Sequence, residues 1–190
     1  MTQFIRLCLG LSLSLAACQL FADEPRFIKA WGEHGDQDGQ FDFCIGITIH
    51  DQSLFITDHY NNRVQKFDFD GKHLGTLPVL PNPGGIAADK EGRLFISHFP
   101  ASKNVKDVLL NVMSVYGADG KLMREFAPAG TGDGELNWPG GVAIGPEGHI
   151  YVADQTNRRV MIFDQEGKYL AKFGEFAFEV GDDLGQEGDA

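Results

Sequence analysis

The chain has 190 residues, 27 acidic against 16 basic, and a formal charge of −11. That excess of negative charge repels phosphate backbones and argues against nucleic-acid binding. With 43% hydrophobic residues it is not a disordered polymer, and 24 Gly beside 15 Phe suit a body of many turns and packed sheets.

The N-terminus, "MTQFIRLCLGLSLSLAAC", has a short head with one positive charge, Arg6, and then an apolar run from Leu7 to Leu15. A bilayer-spanning helix needs roughly 20 apolar residues, so this run is too short and fits the hydrophobic region of an export signal. It ends in Leu15-Ala16-Ala17-Cys18, which resembles a bacterial lipobox. The resemblance implies that residues 1–17 are a signal peptide, that Cys18 becomes lipid-anchored, and that 18–25 form a tether. It implies an extracytoplasmic place in a bacterial envelope, as an outer-membrane lipoprotein or in the periplasm. Cleavage after Ala22 is the alternative, but it would put Leu20 where a small residue is wanted. The mature chain would carry −12 and two cysteines, Cys18 and Cys44, so no disulfide framework is available within it. Cys44 reads as a small buried apolar filler next to a strand start.

From Arg26 onward the chain repeats. "RFIKAWG" (Arg26 to Gly32) aligns with "KLMREF" and "YLAKFG" and reads as an outer strand. The first unit, about 26–76, carries "LFITDHYNNRVQKFDFDGKHL", with Asp58, Asn61 and Arg63 as landmarks. The second, about 77–126, is degraded. His98 stands in place of the Asp, the Arg is lost, and the span from His98 to Met113 is nine residues longer than its counterpart. The third, about 127–174, carries "YVADQTNRRVMIFDQEGKYL", with Asp154, Asn157 and Arg159 at the same spacing. The approaches also align, with Gly35 on Gly130 and Phe43 on Trp138. Gly71, Gly120 and Gly167 end equivalent turns 49 and 47 residues apart. Residues 175–190 form an acidic tail without strand alternation.

Each unit holds four short runs rich in Val, Ile, Phe and Tyr, separated by Gly and Asp/Asn turns. A period near 40–50 residues with four strands per unit is the spacing of a β-propeller blade. "GDGELNWPGGVAIGPEGHIYVADQTNRRVMIFDQEGKYLAKFG" resembles an NHL repeat, and the pattern covers Phe27 to Gly174. The expected fold is all-β: about three four-stranded antiparallel blades of NHL type, in an incomplete ring. The resemblance implies a toroid, usually of six blades, around a channel. The NHL family includes scaffolds, sensors, RNA binders and a few enzymes, so it leaves the function open. Three blades leave two inter-blade faces uncovered, which implies either a portion of a longer propeller or a homodimer that completes a six-bladed ring.

The Asp–Asn–Arg pattern recurs with the blades and therefore reads as architecture rather than a catalytic site. An Asp at a strand end holds a turn, and an Arg five residues on pairs back across the hairpin. The long connection in the second unit, with Lys103 and Lys106, is the candidate ligand-contacting flap. His59, His98, Asp58 and Asp154 are the candidates for a zinc or calcium site at a channel mouth. The inner positions Gly85, Gly140 and Gly141 supply none of the axial ligands used by propeller lyases and lactonases. No cofactor is expected. The sequence points to a non-catalytic binding or scaffold module for a protein, peptide or glycan, with a metal-dependent lyase- or lactonase-type enzyme as the alternative.

Overall fold

A computed structural model describes residues 26–99 and 111–174. The signal and tether, the connection with Lys103 and Lys106, and the acidic tail lie outside the described residues. Residues 26–30 belong to a separate unit from the body that starts at Trp31. The expected outer strand over Arg26–Gly32 does not form: none of these residues is in a strand. Phe27 and Ile28 are exposed. Gly32, at φ 94°, takes the backbone out of the extended region, and the Trp31 ring stacks on Phe67 at 4.8 Å. Trp31 therefore serves as a plug on the first blade.

The body consists of strands and turns, with no helix among the described residues. A short parallel pair opens it, β1 (Glu33–His34) beside β2 (Gln40–Phe41). The first blade is β3 (Cys44–His50), β4 (Ser53–Asp58), β5 (Arg63–Phe67) and β6 (His73–Pro78). The second is β7 (Pro83–Ala88), β8 (Leu94–His98), β9 (Asn111–Tyr116) and β10 (Leu122–Pro128). The third is β11 (Pro139–Ile144), β12 (Ile150–Asp154), β13 (Arg159–Phe163) and β14 (Tyr169–Phe173). Each is an antiparallel meander in sequence order. This is an all-β propeller arrangement of three four-stranded blades whose ring is not closed.

The turns carry the expected chemistry. Gly71, Gly92, Gly120, Gly148 and Gly167 sit at φ 78° to 84° in equivalent turns, a region open to glycine at little steric cost. In three of these turns an aspartate, Asp68, Asp89 or Asp164, accepts two backbone N–H groups of its own turn.

All three inner strands break register at the same place, between Cys44 and Ile47, Pro83 and Ile86, and Pro139 and Val142. The hydroxyl of Thr57 accepts the N–H of Gly46 at 2.8 Å and donates to Gly84 O of the next blade at 2.7 Å. Ser97 does the same between Gly85 N and Gly140 O, both at 2.8 Å. The third blade has Ala153 there. The inner strands approach so closely that a Cβ on Gly46 would meet Gly84 O at 2.6 Å, and one on Gly85 would collide with Gly140 O. Gly85→Ala is expected to force the second and third blades apart at a cost of about 1–3 kcal/mol, read as a lower urea midpoint. An unchanged midpoint would show that the backbones yield freely.

The core lies between blades. Phe55, Val64 and Leu77 of the first pack on Ile86, Leu94, Ile96 and Tyr116 of the second. Phe95, Met113, Val115 and Phe126 of the second pack on Ile150, Val152, Met161 and Phe163 of the third. Val142 and Ile144 complete that second seam. Their register equivalents in the first blade, Ile47 and Ile49, are 60% and 61% exposed. At the other end Leu170 and Phe173 are exposed. The two outer faces of the blade stack are thus open and apolar. Cys44, expected to be buried, is exposed for the same reason: its strand has no preceding blade against it.

Candidate functional site

Asp58 ends β4, wholly buried, with both carboxylate oxygens in use. Oδ1 accepts Asp42 N at 2.8 Å. Oδ2 accepts Asn61 Nδ2 and Arg63 Nε, each at 2.8 Å, and Gln65 Nε2 at 3.3 Å. The Arg63 fork then reaches back to the carbonyls of Asp36, Gln37 and Gln40, while Asn61 Nδ2 also donates to Gly35 O. In the third blade, Asp154 accepts Asn137 N, Asn157 Nδ2 and Arg159 Nε at 2.7 to 2.8 Å. Arg159 donates to Gly132 O and Glu135 O, and Asn157 to Gly130 O. The motif holds its own hairpin. It also lashes the incoming inter-blade link to that hairpin, which strand spacing alone did not indicate.

The second blade has no such link, because only four residues separate Pro78 from Pro83. His98 takes the Asp position, pairing with Pro83 as Asp58 pairs with Cys44. Its Nδ1 lies 2.9 Å from Pro81 O and its Nε2 2.7 Å from Ser114 Oγ. A carbonyl only accepts, so Nδ1 carries the proton and Nε2 accepts from the serine. Burial, the largest cause, with a smaller contribution from nearby His59, brings the imidazole pKa down to about 4.

The metal candidates do not converge. Both nitrogens of His98 are taken by the protein, and both aspartates are filled by their own arginine and amide donors. His59 Nδ1 lies 3.0 Å from Pro83 O. Among the described residues, no group of three His, Cys, Asp or Glu side chains could hold an ion. The described residues do not fit a resident metal.

What the rim does gather is aromatic. Phe43 enters β3, His59 and Tyr60 follow β4, Phe99 follows β8, and Trp138 enters β11. Phe43 stacks on Tyr60 at 5.6 Å and meets His59 at 6.0 Å. His59 meets Phe99 at 5.4 Å, and Phe99 meets Trp138 at 5.3 Å. The result is one ridge running across all three blades. Its ends project into solvent, Phe43 at 60% exposure and Trp138 at 44%. Phe43, Asn82 and Trp138 occupy equivalent positions with φ of 73°, 58° and 54°. Positive φ is ordinary for asparagine and costly for bulky aromatics, so the fold holds these two rings outward against a local strain. The alignment of Phe43 with Trp138 was visible in sequence. The insertion of Tyr60, His59 and Phe99 between them was not.

Clefts also open where blades meet at the opposite rim. One of about 400 Å³ is lined by His50, Phe55, Lys66, Leu77 and Asp119, and one of about 310 Å³ by Asp89, Ile144, Glu147 and Gln165. Recurrence at both seams marks them as architecture.

An NHL repeat matches residues 136–163. Those residues run from the end of the third link through β13, and so contain Asp154, Asn157, Arg159 and Trp138. Over 151 residues the chain is 28% identical to Protein brain tumor of Drosophila melanogaster, covering 76% of this chain and 14% of that protein. It is 26% identical over 180 residues to mouse (Mus musculus) NHL repeat-containing protein 3, covering 85% of this chain and 49% of the relative. These likenesses support the NHL family. The chain spans about half of the second relative and much less of the first. Among solved structures, Kuenenia stuttgartiensis hydrazine synthase superposes with a TM-score of 0.55 at 19% identity, over 80% of this chain and 40% of that one. At that identity the likeness speaks for the fold alone.

Proposed function

We propose that this NHL-type propeller is a non-catalytic binding module that presents one rim to a protein, peptide or glycan ligand outside the cytoplasm, held to a bacterial envelope membrane through Cys18. The observation that carries the reading is the aromatic ridge, which spans three blades and whose two end rings, Phe43 and Trp138, are exposed and held on strained backbone. Asp58, Arg63, Asp154 and Arg159 on the same rim are taken up in holding the links, and among the described residues no set of nucleophile, base and orienting group accompanies them. The metal-dependent enzyme reading has no converging ligand set among the described residues to support it. The connection bearing Lys103 and Lys106, which joins β8 to β9 and lies outside the described residues, is the candidate ligand-contacting loop.

Capture from an envelope extract by the immobilised mature chain tests this, with two variants alongside. Deleting residues 102–110 is expected to leave the thermal midpoint intact and abolish capture of the specific partner, and Phe43→Asn with Trp138→Asn is expected to do the same. Capture unchanged by both alterations would overturn the rim as the site. The open faces at Ile47, Ile49 and Phe173 call for covering surface, from further blades in a longer chain or from a second copy that completes a six-bladed ring. Sedimentation of the mature chain as a clean dimer would support the second copy, and monomer or heterogeneous aggregate the longer chain.

A further inference from the structure

We infer that the ligand of this ridge is an extended, arginine-bearing segment of a protein partner. The inference rests on the binding-rim reading above and narrows it to one chemistry. The rings at the ends of the ridge are exposed, and a guanidinium stacks favourably on such faces.

The charge around the ridge has the matching sign. The two links lashed to this rim are acidic: Glu33, Asp36, Asp38 and Asp42 in the first, Asp133 and Glu135 in the third. On the same rim Arg63 and Arg159 are committed to Asp58 and Asp154 at 2.8 Å and Lys172 offsets Asp133 at 2.6 Å; with Arg158 also in the third blade's turn, the acidic excess lies at the first link. Asp36 and Asp38 are exposed. The whole chain adds a field of −11, which steers cations inward and anions away. An acidic or phosphorylated ligand is thereby disfavoured. A neutral glycan could stack on the rings but would draw nothing from the field.

The ridge is also long and narrow. Its rings follow one another at 5.3 to 6.0 Å with His59 buried among them, so an extended peptide laid along it, with side chains on one face roughly 6–7 Å apart, meets the exposed rings at its two ends, Phe43 and Trp138. Asn82 marks how the site can be removed without damage. It holds the same left-handed position in the second blade, so asparagine at 43 and 138 keeps the turn and deletes the ring.

The test is a titration of the full mature chain with a twelve-residue peptide carrying arginine at alternate positions. A citrulline counterpart keeps its shape without its charge. Calorimetry gives the affinity, and Trp138 fluorescence reports the contact. Trp31, packed on Phe67, stays silent, and the Trp138→Asn protein shows its signal alone. Expected is at least tenfold weaker binding of the citrulline peptide, at least tenfold weaker arginine-peptide binding to the Phe43→Asn/Trp138→Asn protein, and weakening with added salt. Equal binding of the two peptides overturns the inference, and so does undiminished binding to the double variant or no arginine-peptide binding at all. If the double variant loses envelope-partner capture while the arginine peptide fails to bind, the binding rim stands and only the arginine chemistry is lost.

Discussion

Asp58→Ala is expected to lower the stability of the chain by about 3–5 kcal/mol, the cost of stranding a buried charge without its partner. The stranded group is the Arg63 guanidinium, whose Nε now lies 2.8 Å from the carboxylate. The N–H of Asp42 and the amides of Asn61 and Gln65 lose an acceptor at the same moment. Domains are stable by only about 5–15 kcal/mol, so the loss is a large fraction of the whole. Urea unfolding at neutral pH reads it as a drop in midpoint. Asp58→Asn should fall between, because it keeps shape and one acceptor oxygen. Adding Arg63→Met to the alanine variant should recover part of the loss by removing the uncompensated charge. The same change at Asp154 should cost less, because the third blade has Met161 where the first has Gln65 and one donor fewer is orphaned. A loss under about 1 kcal/mol for Asp58→Ala would mean that solvent reaches Arg63 readily.

The second large effect is on acid stability. His98 is fully buried as a neutral ring, and its pKa falls from 6.5 to about 4 on folding. Above pH 6.5 neither state holds the proton, and the full stability is present. As pH falls below 6.5 the unfolded chain takes up a proton that the folded chain refuses. Stability is then lost progressively until the folded ring also titrates, near pH 4. The lowered pKa corresponds to a total of roughly 3 kcal/mol, of which about 2 is lost by pH 5. Urea midpoints measured between pH 7 and pH 4.5 should fall more steeply for the natural chain than for His98→Gln, which cannot titrate in this range. Parallel slopes would show that the ring is protonated in the fold or that Ser114 and Pro81 do not hold it.

The blades were legible in the sequence because each is a local object. Turn glycines, alternating apolar residues and the Asp–Asn–Arg spacing all lie within one unit of fewer than fifty residues, and the same signal occurred twice with good fidelity. What was not legible depends on neighbours that the chain supplies from a distance. Cys44 was expected inside as a small apolar filler beside a strand start, at the place of Pro139. It is outside because, among the described residues, no preceding blade lies against its strand. Arg26–Gly32 looked like an outer strand by alignment, but Gly32 and the stacking of Trp31 on Phe67 turn it into a lead-in. The ridge drew on Phe43, Tyr60, Phe99 and Trp138, almost a hundred positions from first to last, and only the side-by-side placement of blades brings them together. The lashing of the links by Arg63 and Arg159 was hidden for a milder reason: the acceptors are main-chain carbonyls, which any residue can offer.

The hydroxyls of Thr57 and Ser97 bear on how the molecule comes apart. Each reads the backbone of its own inner strand and of the next at once, so a shift in one blade is felt by its neighbour. That is nearest-neighbour coupling in a nearly one-dimensional array, and it makes adjoining units melt together rather than singly. Ala153 sends no such message onward. Cooperativity therefore runs from the first blade through the second to the entry of the third, and fraying starts at the outer side of the last.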